Sequence, residues 1–234
     1  MTGANKGIGR AVAAGLAARG MVVLLAARDP ERGRTAAREL GVAWVHLDVT
    51  EPATIEAAVR QVEREHGRLD VLVNNAGISG HVPGRPPGET PVEAVREVFE
   101  TNVLGVVAVT NAFLPLLRRS RAARIVNVSS AVGSLTCQTD PGHYLSRLPP
   151  AAAYPASKAA LNALTVQYAR ELEPEGILVN AATPGACATD FTRGLNLPIP
   201  RTAQDGARAI VGLATLPDGG PTGGFYDESG TVPW

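Results

Sequence analysis

Lysine is nearly missing from this 234-residue chain, where Lys6 and Lys158 stand against twenty arginines. Cysteine is as scarce: Cys137 and Cys187 are the two present, and neither has a metal-ligand spacing. That points away from a metal centre and towards a reduced, cytoplasmic setting. Formal net charge is zero and no basic block occurs, so the electrostatic footprint of a nucleic-acid or anionic-membrane partner is missing. No apolar run reaches the length of a membrane span, and the N-terminus lacks the charged-then-apolar pattern of a signal peptide. With many Ala, Gly and Pro, the arginine bias suggests a GC-rich, bacterial genome. Arginine has filled positions that need only a cation, which singles out the two lysines, since a compact, tunable ammonium is a different device from a guanidinium.

What is present is the material of one α/β domain. Hydrophobic residues make up 45% and charged residues 19%, and the length fits a single domain over residues 1–234 with a sizeable core. Met21–Ala27, Ala43–Leu47, Leu69–Asn74, Ile125–Ser129 and Ile177–Ala181 are nearly continuous apolar runs, as expected of parallel strands covered on both faces. Amphipathic segments alternate with them, over roughly Arg10–Arg19, Pro30–Leu40, Pro52–His66, Pro91–Arg119 and Ala156–Glu173. The alternation predicts a Rossmann-type, doubly wound parallel sheet. His81–Pro91 and Leu135–Ala153 break the rhythm and read as loops, which in such folds carry ligand contacts.

Thr2–Gly9 reads TGANKGIG. Gly3, Gly7 and Gly9 permit a tight turn and close backbone approach to a pyrophosphate, with Asn5, Lys6 and Ile8 between them and a helix N-terminus following. The second strand ends at Ala27-Arg28-Asp29. An acid at this point would select NAD through its ribose hydroxyl, whereas Arg accommodates a 2′-phosphate. Ala27 replaces that acid, so Arg28, with Lys6 reaching from the glycine-rich turn, predicts NADP(H). Asp29 can at the same time cap the next helix, with Pro30 in its first turn.

Further motifs occur in order: NNAG at Asn74–Gly77, TN at Thr101-Asn102, VSS at Val128–Ser130, YPASK at Tyr154–Lys158 and PG at Pro184-Gly185. Together with TGANKGIG they resemble the short-chain dehydrogenase/reductase family over essentially the whole chain. The start, the Arg-Asp after the second strand and the tail GPTGGFYDESGTVPW resemble its monomeric carbonyl reductase branch and plant relatives. Tyr154 and Lys158 are four residues apart on one helix face. A phenol with a pKa near 10 is a poor proton shuttle at neutral pH, and a neighbouring ammonium is expected to draw it downwards. The resemblance implies that Tyr154 is the general acid of carbonyl reduction and that Lys158 also holds the nicotinamide ribose. It further implies that Ser130 stabilises the developing alkoxide, Ser129 is structural and Asn102 holds a water linking Lys158 to solvent. By position, Asp48 and Val49 would flank the adenine, and Asn75, Ala76 and Gly77 the ribose and pyrophosphate. Pro184 and Gly185 would turn the chain so that the Cys187 backbone and the Thr189 hydroxyl hold the carboxamide.

Two departures from the family pattern stand out. Met1 directly precedes Thr2, so the strand that should lead into the glycine-rich turn is absent, and a central gap would leave strand edges unpaired. The expectation is a natural start several residues upstream, with a GTG valine codon written as Met1; an intact native mass matching initiation at Met1 would sink it. Ser130 and Tyr154 are also 24 residues apart, more than in the family's shorter members. By resemblance the extra residues pack over the helices used for oligomerisation, which favours a monomer. The expected activity is NADPH-dependent reduction of a ketone, aldehyde or quinone, with substrate identity resting on the two irregular loops and on Phe191–Pro200. An alcohol-oxidising dehydrogenase, a biosynthetic ketoreductase and a catalytically idle cofactor-binding regulator are the alternatives.

Overall fold

The computed structural model describes residues 1–80, 85–193 and 198–234. Part of the first expected loop (81–84) and part of the Phe191–Pro200 segment (194–197) lie outside the described residues. Among the described residues six parallel strands form: β1 (Leu24–Ala27), β2 (Ala43–His46), β3 (Val71–Asn74), β4 (Arg124–Val128), β5 (Leu178–Ala182) and β6 (Phe225–Tyr226). The first five match the apolar runs; β6 escapes a sequence reading because it is two residues long in a glycine-rich tail, and only its pairing with Ala181 and Ala182 makes it a strand. The helices are α1 (Gly7–Ala17), α2 (Pro30–Leu40), α3 (Pro52–His66), α4 (Val92–Phe99), α5 (Gly105–Leu117), α6 (Leu135–Thr139), α7 (Ala153–Leu172) and α8 (Ala203–Ala214). Asp29 caps α2 by accepting from the Glu31 and Arg32 backbone N–H groups, and Thr202 with Asp205 forms a capping box at α8.

Alternate strand residues enter separate cores, as the two-residue period of a strand requires. Leu72, Ile125 and Val179 pack with Ile55 of α3, Phe113 of α5 and Leu172 of α7. Val73, Val126 and Ala182 pack with Val12 of α1 and Ile210 of α8. Helices therefore cover both faces, the doubly wound α/β arrangement expected.

Pairing divides the strands into β1-β2 and β3-β4-β5-β6. Met1–Ala4 runs between β1 and β3 and bonds to both: Ala26 N donates to Met1 O at 2.9 Å, Ala4 N to Ala26 O at 3.1 Å and Thr2 N to Val73 O at 3.0 Å. The expected open gap is thus corrected: the short N-terminal segment lies between the two groups of strands and pairs with the edge of each.

The stretch read as one helix from Pro91 to Arg119 is two helices joined by a π-turn over Glu100–Leu104. Its span Val92–Leu117 is long and apolar enough to cross a membrane by length and composition alone, which corrects the expectation that no apolar run reaches that length. Val98, Val106, Val109, Phe113 and Leu117 of this span are buried in the fold, so it serves here as a core helix.

Candidate active site

Helix α7 turns an unusual stripe inwards: Ser157, Lys158, Asn162 and Thr165 are all buried. Each has at least one partner, as buried polar groups usually do, although Asn162 Nδ2 has none among the described residues. Ser157 Oγ accepts from Asn102 Nδ2 at 3.0 Å, Lys158 Nζ donates to Val128 O at 2.8 Å, Asn162 Oδ1 accepts from Ser129 Oγ at 2.5 Å and Thr165 Oγ1 accepts from Asn127 Nδ2 at 2.9 Å. This polar ladder fastens α7 to the end of β4, where Ser130 begins the short 3-10 turn Ala131–Gly133. Gly133 is essential to the approach: a Cβ there would lie 2.7 Å from the Lys158 carbonyl carbon. Ser129 Oγ is taken up inside the fold by Asn162, and the Ser130 hydroxyl is close enough to the Tyr154 phenol to draw its pKa down.

Burial, not charge, dominates the titration of the pair. It pushes the half-buried Tyr154 phenol up to about 12, the Ser130 hydrogen bond pulling weakly the other way, and it lowers the Lys158 ammonium to about 8. The expected drawing-down of the phenol by Lys158 is therefore corrected. The ammonium lies 5.6 Å from the Tyr154 ring centroid and gives a hydrogen bond to a carbonyl, so desolvation outweighs its attraction for the phenolate.

Asn102 is fully buried within the π-turn. Its Oδ1 accepts from Ile78 N at 2.8 Å, and its Nδ2 donates to Ile78 O at 2.9 Å as well as to Ser157. The side chain ties the strand-end loop to α7; a π-turn within a helix commonly marks a functional position. Gly77 sits in the same crowd, where a Cβ would approach Asn102 Oδ1 to 3.2 Å and Lys158 Nζ to 3.7 Å.

The glycine-rich turn fits a dinucleotide. Gly3 and Gly7 hold positive φ of 61° and 54°, and a Cβ on Gly9 would lie 2.6 Å from both Asn75 Nδ2 and Gly3 O. The first turn of α1 has no side-chain cap, so its N–H groups and positive dipole end are open to an anion. Thr2 Oγ1 accepts from Asn75 N and Ala76 N at 3.0 Å each, and Asn75 Nδ2 donates to Thr2 O and Gly3 O. Asn5 and Ile8 are half-buried along the turn. Arg28 is exposed at the end of β1 and its guanidinium has no partner among the described residues, while Asp29 is committed to its cap. Lys6 departs from expectation: its ammonium pairs with Asp190 at 3.1 Å. Asp48 closes its own turn by accepting from Thr50 N and Oγ1, and Val49 is buried against Gly105. Beyond β5, Gly185 has a φ of 69°, Pro184 and Thr189 are half-buried and Cys187 is buried; burial raises the Cys187 thiol pKa, which supports a filler and not a nucleophile.

Several residues that shape the candidate site were not singled out from the motifs. Thr183 Oγ1 accepts from Ala131 N at 3.1 Å and from Gly185 N at 3.4 Å, joining the Ser130 turn to the Pro184-Gly185 turn. Gly133 adjoins the Val128–Ser130 motif and could have been found there, while Thr2 lies inside TGANKGIG but was given no role of its own. Phe191, whose ring lies 5.5 Å from that of Tyr154, carries no local signal, because that contact spans 37 residues of chain.

The model of the short chain dehydrogenase family matches residues 1–199. The short-chain dehydrogenase anuI of Penicillium roqueforti is 38% identical over 99% of this chain and 94% of its own length. The structure of salutaridine reductase from Papaver somniferum superposes with a TM-score of 0.81 at 30% identity, covering 96% of this chain and 97% of that one. The NADPH-bound carbonyl reductase from chicken fatty liver gives 0.85 at 29% identity, covering 100% and 97%. Relatives come from fungi, plants and bacteria alike, so they lend no support to a bacterial origin.

Proposed function

This chain belongs to the short-chain dehydrogenase family, and on that premise we propose that it is an NADPH-dependent reductase of a small-molecule ketone, aldehyde or quinone. The observation that carries the reading is the meeting of Ser130, Tyr154 and Lys158 beside Asn102 and Gly77. The likeness to an NADPH-bound carbonyl reductase supports the direction and the cofactor.

Gly3–Gly9 with Lys6, Arg28, Asp48, Val49, Asn75–Gly77 and the Pro184–Thr189 segment would hold NADPH, which would supply the hydride. Ser130 donates a hydrogen bond to the substrate carbonyl oxygen and favours its developing negative charge. Tyr154 holds its proton firmly at neutral pH and delivers it to that oxygen, which is the stronger base once reduced. Lys158 remains mostly charged at pH 7 and steadies the resulting phenolate from beside the ring. Asn102 keeps α7 and the Gly77 loop in register, so the groups meet without reorganisation. The long segment between Ser130 and Tyr154, with α6 within it, supports a monomer; sedimentation would check this, and a dimer at micromolar concentration would refute it.

Oxidation of NADPH over a panel of ketones, aldehydes and quinones, with Tyr154→Phe as control, tests the activity. Turnover by the wild type and none by the variant, with NADPH affinity retained, is the expected result. Tight NADPH binding without turnover of any carbonyl or alcohol would overturn the reductase reading.

A further inference from the structure

Lys6 belongs to the turn that faces the cofactor's phosphates, yet a carboxylate of the protein itself holds its ammonium. Asp190 Oδ2 lies 3.1 Å from Lys6 Nζ, and Arg193 pairs with the other oxygen of the same carboxylate. The residues around Asp190 cross between the two halves of the site. Thr189 Cγ2 faces Gly7 of the glycine-rich turn, and the Phe191 ring lies over Tyr154 at 5.5 Å between centroids. An ammonium is a compact point charge, and a carboxylate and a phosphate drawn to it repel each other at that range. We propose that Asp190 is an internal competitor for the cofactor's phosphate: it occupies Lys6 in the cofactor-free enzyme and is displaced when a phosphate takes the ammonium. This rests on the reading of the chain as a dinucleotide-dependent reductase and adds a restraint on cofactor affinity supplied by the segment that also covers the catalytic tyrosine.

The pair is exposed, with 59% of the Lys6 and 46% of the Asp190 side-chain surface accessible. The competition is therefore modest, on the scale of an exposed ion pair, about 1.5- to 5-fold in affinity. Both positions can be changed without disturbing the core. Fluorescence titration with NADPH and with NADH, applied to the wild type, Asp190→Asn, Lys6→Gln and the double variant, tests it. Asp190→Asn is expected to bind NADPH about 1.5- to 5-fold more tightly, and the same change in the Lys6→Gln background is expected to do nothing. A gain confined to NADPH identifies the 2′-phosphate as the group that takes Lys6; an equal gain with NADH identifies the pyrophosphate. Unchanged or weaker NADPH binding by Asp190→Asn overturns the competitor, as does a gain that persists without Lys6, which would be a general charge effect through Arg193. Failure of the wild type to bind either dinucleotide would instead overturn the cofactor reading, and this inference with it.

Discussion

A buried ammonium persists only where something accepts its hydrogen bonds, and for Lys158 the Val128 carbonyl does so at 2.8 Å. Desolvation still lowers its pKa from 10.5 to about 8. Between those values the folded protein binds fewer protons than the unfolded chain, so stability rises with pH across that window and the penalty of the buried charge is full below it. Melts from pH 7 to 10 should accordingly show the wild type gaining stability relative to Lys158→Met, and a constant difference would contradict the lowered pKa. Tyr154, raised to about 12, has the opposite sign and loses stability only above about 10, the unfolded value. Catalysis that needs the ammonium should decline as pH rises through about 8, read as kcat/KM against pH. Arg28 offers a separate test, because its guanidinium has no other partner among the described residues. Arg28→Ala should weaken NADPH binding about tenfold to hundredfold, the size of a charged hydrogen bond, and leave NADH binding unchanged in a direct titration.

The Ser130 turn and α7 approach more closely than side chains would allow, and Gly133 is where they touch. A Cβ at that position meets the Lys158 backbone at 2.7 Å, and neither backbone can move far, since Lys158 is anchored to Val128 and Ser130 precedes a turn held by Thr183. Gly133→Ala should therefore destabilise the fold by about 1–3 kcal/mol, as overpacking does, and reduce kcat more than NADPH affinity. Denaturant unfolding and steady-state kinetics check the two parts. The π-turn at Glu100–Leu104 shows why such an element is hard to read from sequence: its residues suit an ordinary helix, and the bulge is favoured by what Asn102 gains from Ile78 and Ser157.

Across the molecule, Arg28 follows β1 and Asn75–Gly77 follow β3, in different groups of strands, and the N-terminal segment leading into the glycine-rich turn bonds to both. A dinucleotide held by both groups ties the two parts together, so binding should appear as stability. Saturation at about 100 times Kd should add about 2.7 kcal/mol, visible as a higher Tm with NADPH; an unchanged Tm at that concentration would show that NADPH does not bind the folded protein in preference to the unfolded chain.

Periodicity and short motifs made much of this legible in the sequence itself. The continuous apolar runs announced buried parallel strands because strands covered on both faces have no polar side to display. TGANKGIG announced a tight turn because only glycine tolerates its backbone, and Tyr154 and Lys158 share a helix face whatever surrounds them. Distance along the chain hid the rest. The pairing of Lys6 with Asp190, of Tyr154 with Phe191 and of Thr183 with the Ser130 turn joins residues whose own neighbours say nothing of them. The titration of Tyr154 and Lys158 is the clearest case. Their spacing displays the charge of one and the phenol of the other, but desolvation, which decides both pKa values, exists only once the fold has closed around them.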